Sequence, residues 1–228
     1  MTIEAVVTDI EGTTTSISFV HDVLFPYAKR ELSGFVHANL QDPNVASHLA
    51  ATRDLAGCGE SPDAVVEVLL GWIEEDRKAT PLKALQGLIW EAGYRSGELK
   101  GHLYEDAHDY LRRWWEAGLK LFVFSSGSVY AQRLLFGHTT HGDLNPWFTG
   151  NFDTTVGSKK EGASYGEILS RIGKPGASVL FLSDVGAELD AAREAGMKTI
   201  QVVRDSMTTP APAHAQVTSF DQISLDSL

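Results

Sequence analysis

The sequence predicts an α/β fold: a parallel sheet with helices on both faces, interrupted near its start by an all-helical insertion. Three observations predict it. Residues 3–10 are apolar and rich in β-branched side chains without strict alternation, the pattern of a strand buried on both faces. From residue 104 onward, helical and strand patterns alternate almost to the end, as in a sheet built from crossover units. Between these two regions the chain reads as helix alone. The expected division is therefore a core of residues 1–15 plus 101–228 and a helical domain of residues 16–100.

The elements follow in order. The first strand ends in Asp9-Ile10-Glu11-Gly12 and three threonines. Ligands of open α/β sheets bind beyond the carboxyl ends of the strands, so Asp9 belongs at the edge of such a crevice. Gly12 permits a sharp turn, and the threonine hydroxyls can satisfy freed backbone groups. Leu24, Ala28, Leu32 and Phe35 then recur at helical spacing, with Pro26 tolerable in the first turn. Ser61-Pro62 and Thr80-Pro81 each place a capping residue before a helix-starting proline. The stripes expected to be buried are Val65, Leu69, Trp72 and Ile73, then Leu82, Leu85, Ile89 and Ala92. A further helix from Tyr104 carries Ala107, Leu111, Trp114 and Trp115 and stops at Gly118. Strands at 121–124, 179–182 and 199–203 alternate with helices from Tyr130 and over 187–195, before a Pro- and Ala-containing loop at 208–215.

Composition narrows the functional classes. Apolar residues make up 43% of the 228, enough for a substantial core. No apolar run approaches the ~18 residues a membrane crossing needs, and no basic-then-apolar leader opens the chain. Nineteen Lys and Arg face 30 Asp and Glu, and the net charge of −11 disfavours a nucleic-acid surface. The single cysteine, Cys58, allows no internal disulfide and suits a reducing, cytoplasmic setting. Between two glycines, with no cationic neighbour, it is a poor candidate nucleophile.

Three more strand ends carry polar residues. Ser125-Ser126-Gly127-Ser128 follows the strand at 121–124, and such a turn can aim N–H groups and a hydroxyl at a phosphoryl oxygen. Gly157-Ser158-Lys159-Lys160 precedes a helix start at 162–164. Asp184 ends the strand at 179–182, with Glu188 four residues on. Each signal alone is weak, because hydroxyls and glycines often form plain turns and adjacent lysines are usually solvated. Their order, an acid pair, a hydroxyl, a lysine and an acid on successive elements, is the informative feature. His138 and His141 have the spacing of metal ligands but sit in a loop-like segment, and His21 lies just past the acid pair.

The first stretch resembles the opening motif of the haloacid dehalogenase superfamily of phosphohydrolases, Asp-x-Asp-Gly-Thr, with Glu11 in place of the second Asp. Asp9-Ile-Glu-Gly-Thr-Thr, continued by Ser16-Ile-Ser-Phe-Val-His-Asp-Val-Leu-Phe-Pro-Tyr27, is similar to the enolase-phosphatases of methionine salvage. Asn145-Pro-Trp-Phe148 and Phe152-Asp-Thr154 are similar to the same group. The resemblance implies a Rossmann-like core with an inserted helical cap, and a monomer acting on a small phosphorylated substrate. It implies Asp9, Glu11 and Lys159 as catalytic, and Ser125, Ser126 and Lys159 as substrate-binding. Asp9, Glu11 (through its backbone carbonyl) and Asp184 would hold Mg²⁺, with Glu188 and Gly127 in support. The physics agrees with a metal: at ~4 Å and an effective dielectric near 20, each like-charge carboxylate pair costs about 4 kcal/mol, which a cation can cancel.

Other readings fit less well. No G-x-x-x-x-G-K-[ST] motif occurs, which disfavours a P-loop NTPase. A dehalogenase has no use for Glu11. A spent, non-catalytic core would not need acids at all these positions, and a phosphatase for another small phosphate ester is the nearest enzymatic rival.

Overall fold

The computed structural model describes residues 2–227. The chain forms two compact units. One is made of the chain up to Ile17 together with Gly101 onward, and the other is Ser18–Lys100.

The first unit is built on six strands: β1 (Ala5–Thr8), β2 (Lys120–Phe124), β3 (Phe148–Phe152), β4 (Val179–Ser183), β5 (Lys198–Val202) and β6 (Ala215–Val217). Their spatial order is β3-β2-β1-β4-β5-β6, and every neighbouring pair is parallel. This is the doubly wound arrangement expected from the alternating pattern. The chain leaves β1 towards one edge and returns at β4 towards the other, so the crevice forms between the carboxyl ends of β1 and β4. The buried run Ala5-Val6-Val7 occupies the middle of the sheet. β1 is shorter than residues 3–10, because the backbone turns directly after Asp9, with three amides converging on the Ile10 carbonyl.

β3 and β6 are not evident from the sequence, for a physical reason. Both are edge strands with weak apolar patterns, and the half-exposed Phe-Thr-Gly-Asn-Phe of β3 reads as loop.

The unit Ser18–Lys100 contains α1 (Phe25–Ala38), α2 (Pro43–Ala56), α3 (Pro62–Glu74) and α4 (Thr80–Ser96). A six-residue π-helical segment precedes α1. α1 buries Ala28 and Leu32 as expected, but its stripe continues at Val36 while Phe35 is only half-buried. Ser61 caps α3 by accepting from the Ala64 amide at 3.2 Å. In α3 Ile73 is half-buried, and in α4 Ala92 is exposed while Gly93 and Tyr94 are buried. α2 is not evident from the sequence because its buried face holds only Val45, Leu49 and Thr52.

α5 (Glu105–Glu116), α6 (Val129–Gly137), α7 (Gly162–Ile172) and α8 (Gly186–Glu194) complete the first unit. Trp115 is 42% exposed, while Ala107, Leu111 and Trp114 face the core. Phe124, Tyr165 and Phe181 meet edge to face, with ring centroids 5.4 and 5.1 Å apart. Each of these fully buried rings contributes on the order of 2–3 kcal/mol. Together they make a rigid floor behind the strand ends. Among the described residues, no helix is long and apolar enough to cross a membrane.

Candidate active site

Because the strands are parallel, their carboxyl ends share one rim, and the polar tips read from the sequence gather there. Asp9 follows β1, and its amide donates to the Leu182 carbonyl of β4 at 2.8 Å. The Asp9 side chain is 7% exposed, and its Oδ1 lies 2.7 Å from Lys159 Nζ. The same ammonium is 2.7 Å from Glu188 Oε2, which also accepts from the Ser183 hydroxyl at 2.9 Å. Asp9, Lys159 and Glu188 thus form a buried carboxylate–ammonium–carboxylate row.

Two local features deliver Lys159. Gly157 has φ +127°, and a Cβ there would fall 2.3 Å from Ser164 Oγ, so the chain crosses the start of α7 closely. The Tyr165 hydroxyl then holds the Lys159 carbonyl at 2.7 Å. Lys160, next along, is exposed.

The charges are strongly unbalanced. Burial would lower the pKa of Lys159, but Asp9 and Glu188 outweigh it and raise it. Burial, and then Asp9, push Asp184 up to about 7 and Glu188 likewise to about 7, with Lys159 opposing in both cases. Asp184 follows β4 and faces Gly12, where a Cβ would come within 2.5 Å of Oδ2.

The acid-bearing turn is tightly folded. The amides of Thr13, Thr14 and Thr15 all reach the Ile10 carbonyl, and the Gly12 amide donates to Thr15 O at 2.8 Å. Glu11 is half-buried on this turn. After β2, the buried Ser125 hydroxyl accepts from the Gly127 amide at 3.1 Å. Ser126 is exposed. The buried Gln132, unremarked in the sequence, braces this turn by donating to the Gly127 and Phe152 carbonyls at 2.8 Å each.

Among the described residues, no three His, Cys, Asp or Glu side chains converge as a metal cage. Asp9, Glu11 and Asp184 therefore do not stand as three carboxylate ligands. His138 and His141 do not converge either, since His138 Nδ1 meets the Leu134 carbonyl at 3.0 Å while His141 stacks on His108 at 4.1 Å. His21 belongs to the Ser18–Lys100 unit, where its exposed ring meets Phe25 edge-on at 5.7 Å. Ser183, Gln132 and Tyr165 are the positioning residues that sequence reasoning missed; each is a common residue type whose role appears only in its contacts.

The model of the haloacid dehalogenase-like hydrolases matches residues 3–196. The chain is 54% identical to the enolase-phosphatase E1 of Pseudomonas aeruginosa (strain UCBPP-PA14), over 98% of this chain and 99% of that one. It is 53% identical to the protein of the same name from Marinobacter nauticus, over 99% and 98%. Among solved structures, the UTR4 protein of Saccharomyces cerevisiae superimposes with a TM-score of 0.83 at 34% identity, over 97% of this chain and 100% of that one. The chain belongs to the haloacid dehalogenase-like hydrolases and, within them, to the enolase-phosphatase family.

Proposed function

We propose that this chain is a magnesium-dependent enolase-phosphatase acting on 2,3-diketo-5-methylthiopentyl-1-phosphate. It enolises that substrate and then dephosphorylates it to the acireductone 1,2-dihydroxy-3-keto-5-methylthiopentene. The observation that carries the reading is identity above 50% along nearly the whole chain with proteins named enolase-phosphatase E1. The reading includes a cytoplasmic monomer whose Ser18–Lys100 unit, within residues 16–100, is the helical cap.

The donor set suits Mg²⁺, which prefers hard oxygen ligands: the carboxylates of Asp9 and Asp184 and the Glu11 carbonyl. The raised pKa of Asp184 supports this, since a divalent cation would restore the ionised form that burial beside Asp9 disfavours. When bound, the cation offsets the acid cluster that would otherwise repel a phosphate and stabilises charge on the transferring group.

The chain's own residues do the rest. Asp9, with Oδ1 held by Lys159, attacks phosphorus through its other oxygen, giving an aspartyl-phosphate as the P–O bond to the substrate breaks. Glu11 donates a proton to the departing oxygen and then takes one from the water that hydrolyses the intermediate. Lys159, Ser125 and Ser126 hold the phosphoryl oxygens, and Gly127 lets the backbone approach. Glu188 keeps Lys159 in place. For enolisation, Glu11 is the favoured base, being already placed for proton transfer, ahead of Lys159 and His21.

The test is NMR of the diketone phosphate with enzyme and Mg²⁺. An enol phosphate should form before inorganic phosphate is released. Phosphate release with no enol phosphate at any time would reduce the protein to a phosphatase without enolase activity.

A further inference from the structure

Arg204 follows the carboxyl end of β5, and no sequence motif draws attention to it. Its side chain is 6% exposed. Nε donates to the Thr13 carbonyl at 3.0 Å, and Nη1 donates to Asp106 Oδ2 at 2.7 Å. The guanidinium lies over the Tyr104 ring at 4.2 Å and near the Phe220 ring at 5.1 Å. Asp106 Oδ2 also accepts from the Phe220 amide at 2.7 Å. The cation is thus held by contacts with two rings and a carboxylate as well as by the turn. A planar fork held this way loses little freedom when it makes a charge-assisted hydrogen bond.

What it grips is the turn carrying Glu11. Thr13 lies two residues after Glu11, and the bonds of residues 12–15 to Ile10 and Thr15 make the turn a single stiff piece. Displacing the Thr13 carbonyl therefore displaces Glu11. Other ties reach the same turn from nearby chain: the Tyr104 amide donates to Thr14 O at 3.0 Å, and the Thr15 hydroxyl donates to His102 O at 2.7 Å. Arg204 adds something different. It anchors the turn to β5, the neighbour of the strand that delivers Asp184.

We propose that Arg204 is a positioning residue for phosphoryl transfer: by clamping the Thr13 carbonyl it sets where the Glu11 carboxyl stands relative to the leaving oxygen. The proposal rests on Glu11 being the acid–base group. A loose acid fails selectively, because an ester with a good leaving group needs no proton whereas a poor leaving group does. Loss of stability alone would lower turnover of both.

The experiment compares kcat/KM for p-nitrophenyl phosphate and phenyl phosphate, two probes of similar shape that differ mainly in leaving-group acidity. Wild type, Glu11→Gln, Arg204→Lys and Arg204→Gln are measured, each with a thermal melt. Glu11→Gln should lose about 100-fold or more on phenyl phosphate and far less on p-nitrophenyl phosphate. Arg204→Lys keeps a charge beside Asp106 but cannot span carboxylate and carbonyl as a fork. It should show the same selective loss in kcat/KM, on the order of tenfold. Arg204→Gln, if folded, should exceed it. If neither folded Arg204 variant is selective while Glu11→Gln is, the proposal is overturned and the Glu11 role stands. If Glu11→Gln is itself unselective, the Glu11 role falls and this proposal falls with it.

Discussion

Gly12 and Asp184 stand so close that a single methyl group cannot be placed between them: a Cβ on Gly12 would lie 2.5 Å from Asp184 Oδ2 and 2.7 Å from its carboxyl carbon. Gly12 also has φ +71°, which side chains rarely adopt. Gly12→Ala should therefore push Asp184 aside and distort the Glu11 turn, lowering kcat/KM by ~100-fold or more. Phosphate-release kinetics across a Mg²⁺ titration check it, and wild-type metal dependence in this variant would refute it.

Lys159 and Lys160 should separate cleanly. Removing Lys159 leaves Asp9 and Glu188 as buried, unpaired carboxylates, at a cost of roughly 3–5 kcal/mol if both stay ionised. Lys159→Ala should lose on the order of 100- to 1,000-fold in kcat. Lys160→Ala, at an exposed position, should stay within about 0.5 kcal/mol of wild type in stability and near it in rate. The reverse order of activity loss would overturn the assignment.

Asp9→Asn should abolish phosphate release while leaving the diketone phosphate able to enolise, so that the enol phosphate accumulates. The amide keeps an oxygen but is no nucleophile. Glu11→Gln should be slow in both steps. Time-resolved NMR distinguishes these outcomes; phosphate release by Asp9→Asn would exclude Asp9 as the attacking group, and normal enolisation by Glu11→Gln would exclude Glu11 as the base.

The metal-free protein should be more stable in mild acid than above neutrality. Asp184 titrates at about 7 when folded, through burial and then Asp9, against roughly 3.9 unfolded. Between those values the folded chain holds a proton that the unfolded chain has lost, so stability falls as pH rises through that window. The expected loss is a few kcal/mol at most, since Asp184 is only partly buried. Glu188, raised in the same direction by burial and then Asp9, adds to it. Denaturant unfolding in chelator at pH 5 and pH 8 measures the slope. Asp184→Asn or added Mg²⁺ should flatten it, and equal stability of the metal-free wild type at both pH values would contradict the account.

Legibility followed how local each feature is. Buried central strands such as β1, β2 and β4 are apolar throughout, so their pattern carries their place. Edge strands β3 and β6 are half-exposed, and nothing in their own residues distinguishes them from loop. α2 carried a readable sign, Asp42 before Pro43 with its side chain accepting from the Asn44 amide at 2.8 Å, but its apolar face was too thin to draw notice. In the site, Asp9 and Asp184 stand out because they follow recognisable strands, and Lys159 because it precedes a recognisable helix start. Arg204 does not, because the groups that give it meaning are 98 and 191 residues away in the chain.

The hydrogen bond inside the Ser125 turn has one more consequence. A hydroxyl carries a single proton and two lone pairs, and Ser125 Oγ uses one lone pair on the Gly127 amide, so its proton remains to be given. The nearby Gly127 and Phe152 carbonyls are both engaged by the Gln132 amide. This corner of the rim therefore has a hydrogen to offer, while Ser125 Oγ and the Gly127 carbonyl each keep a second lone pair.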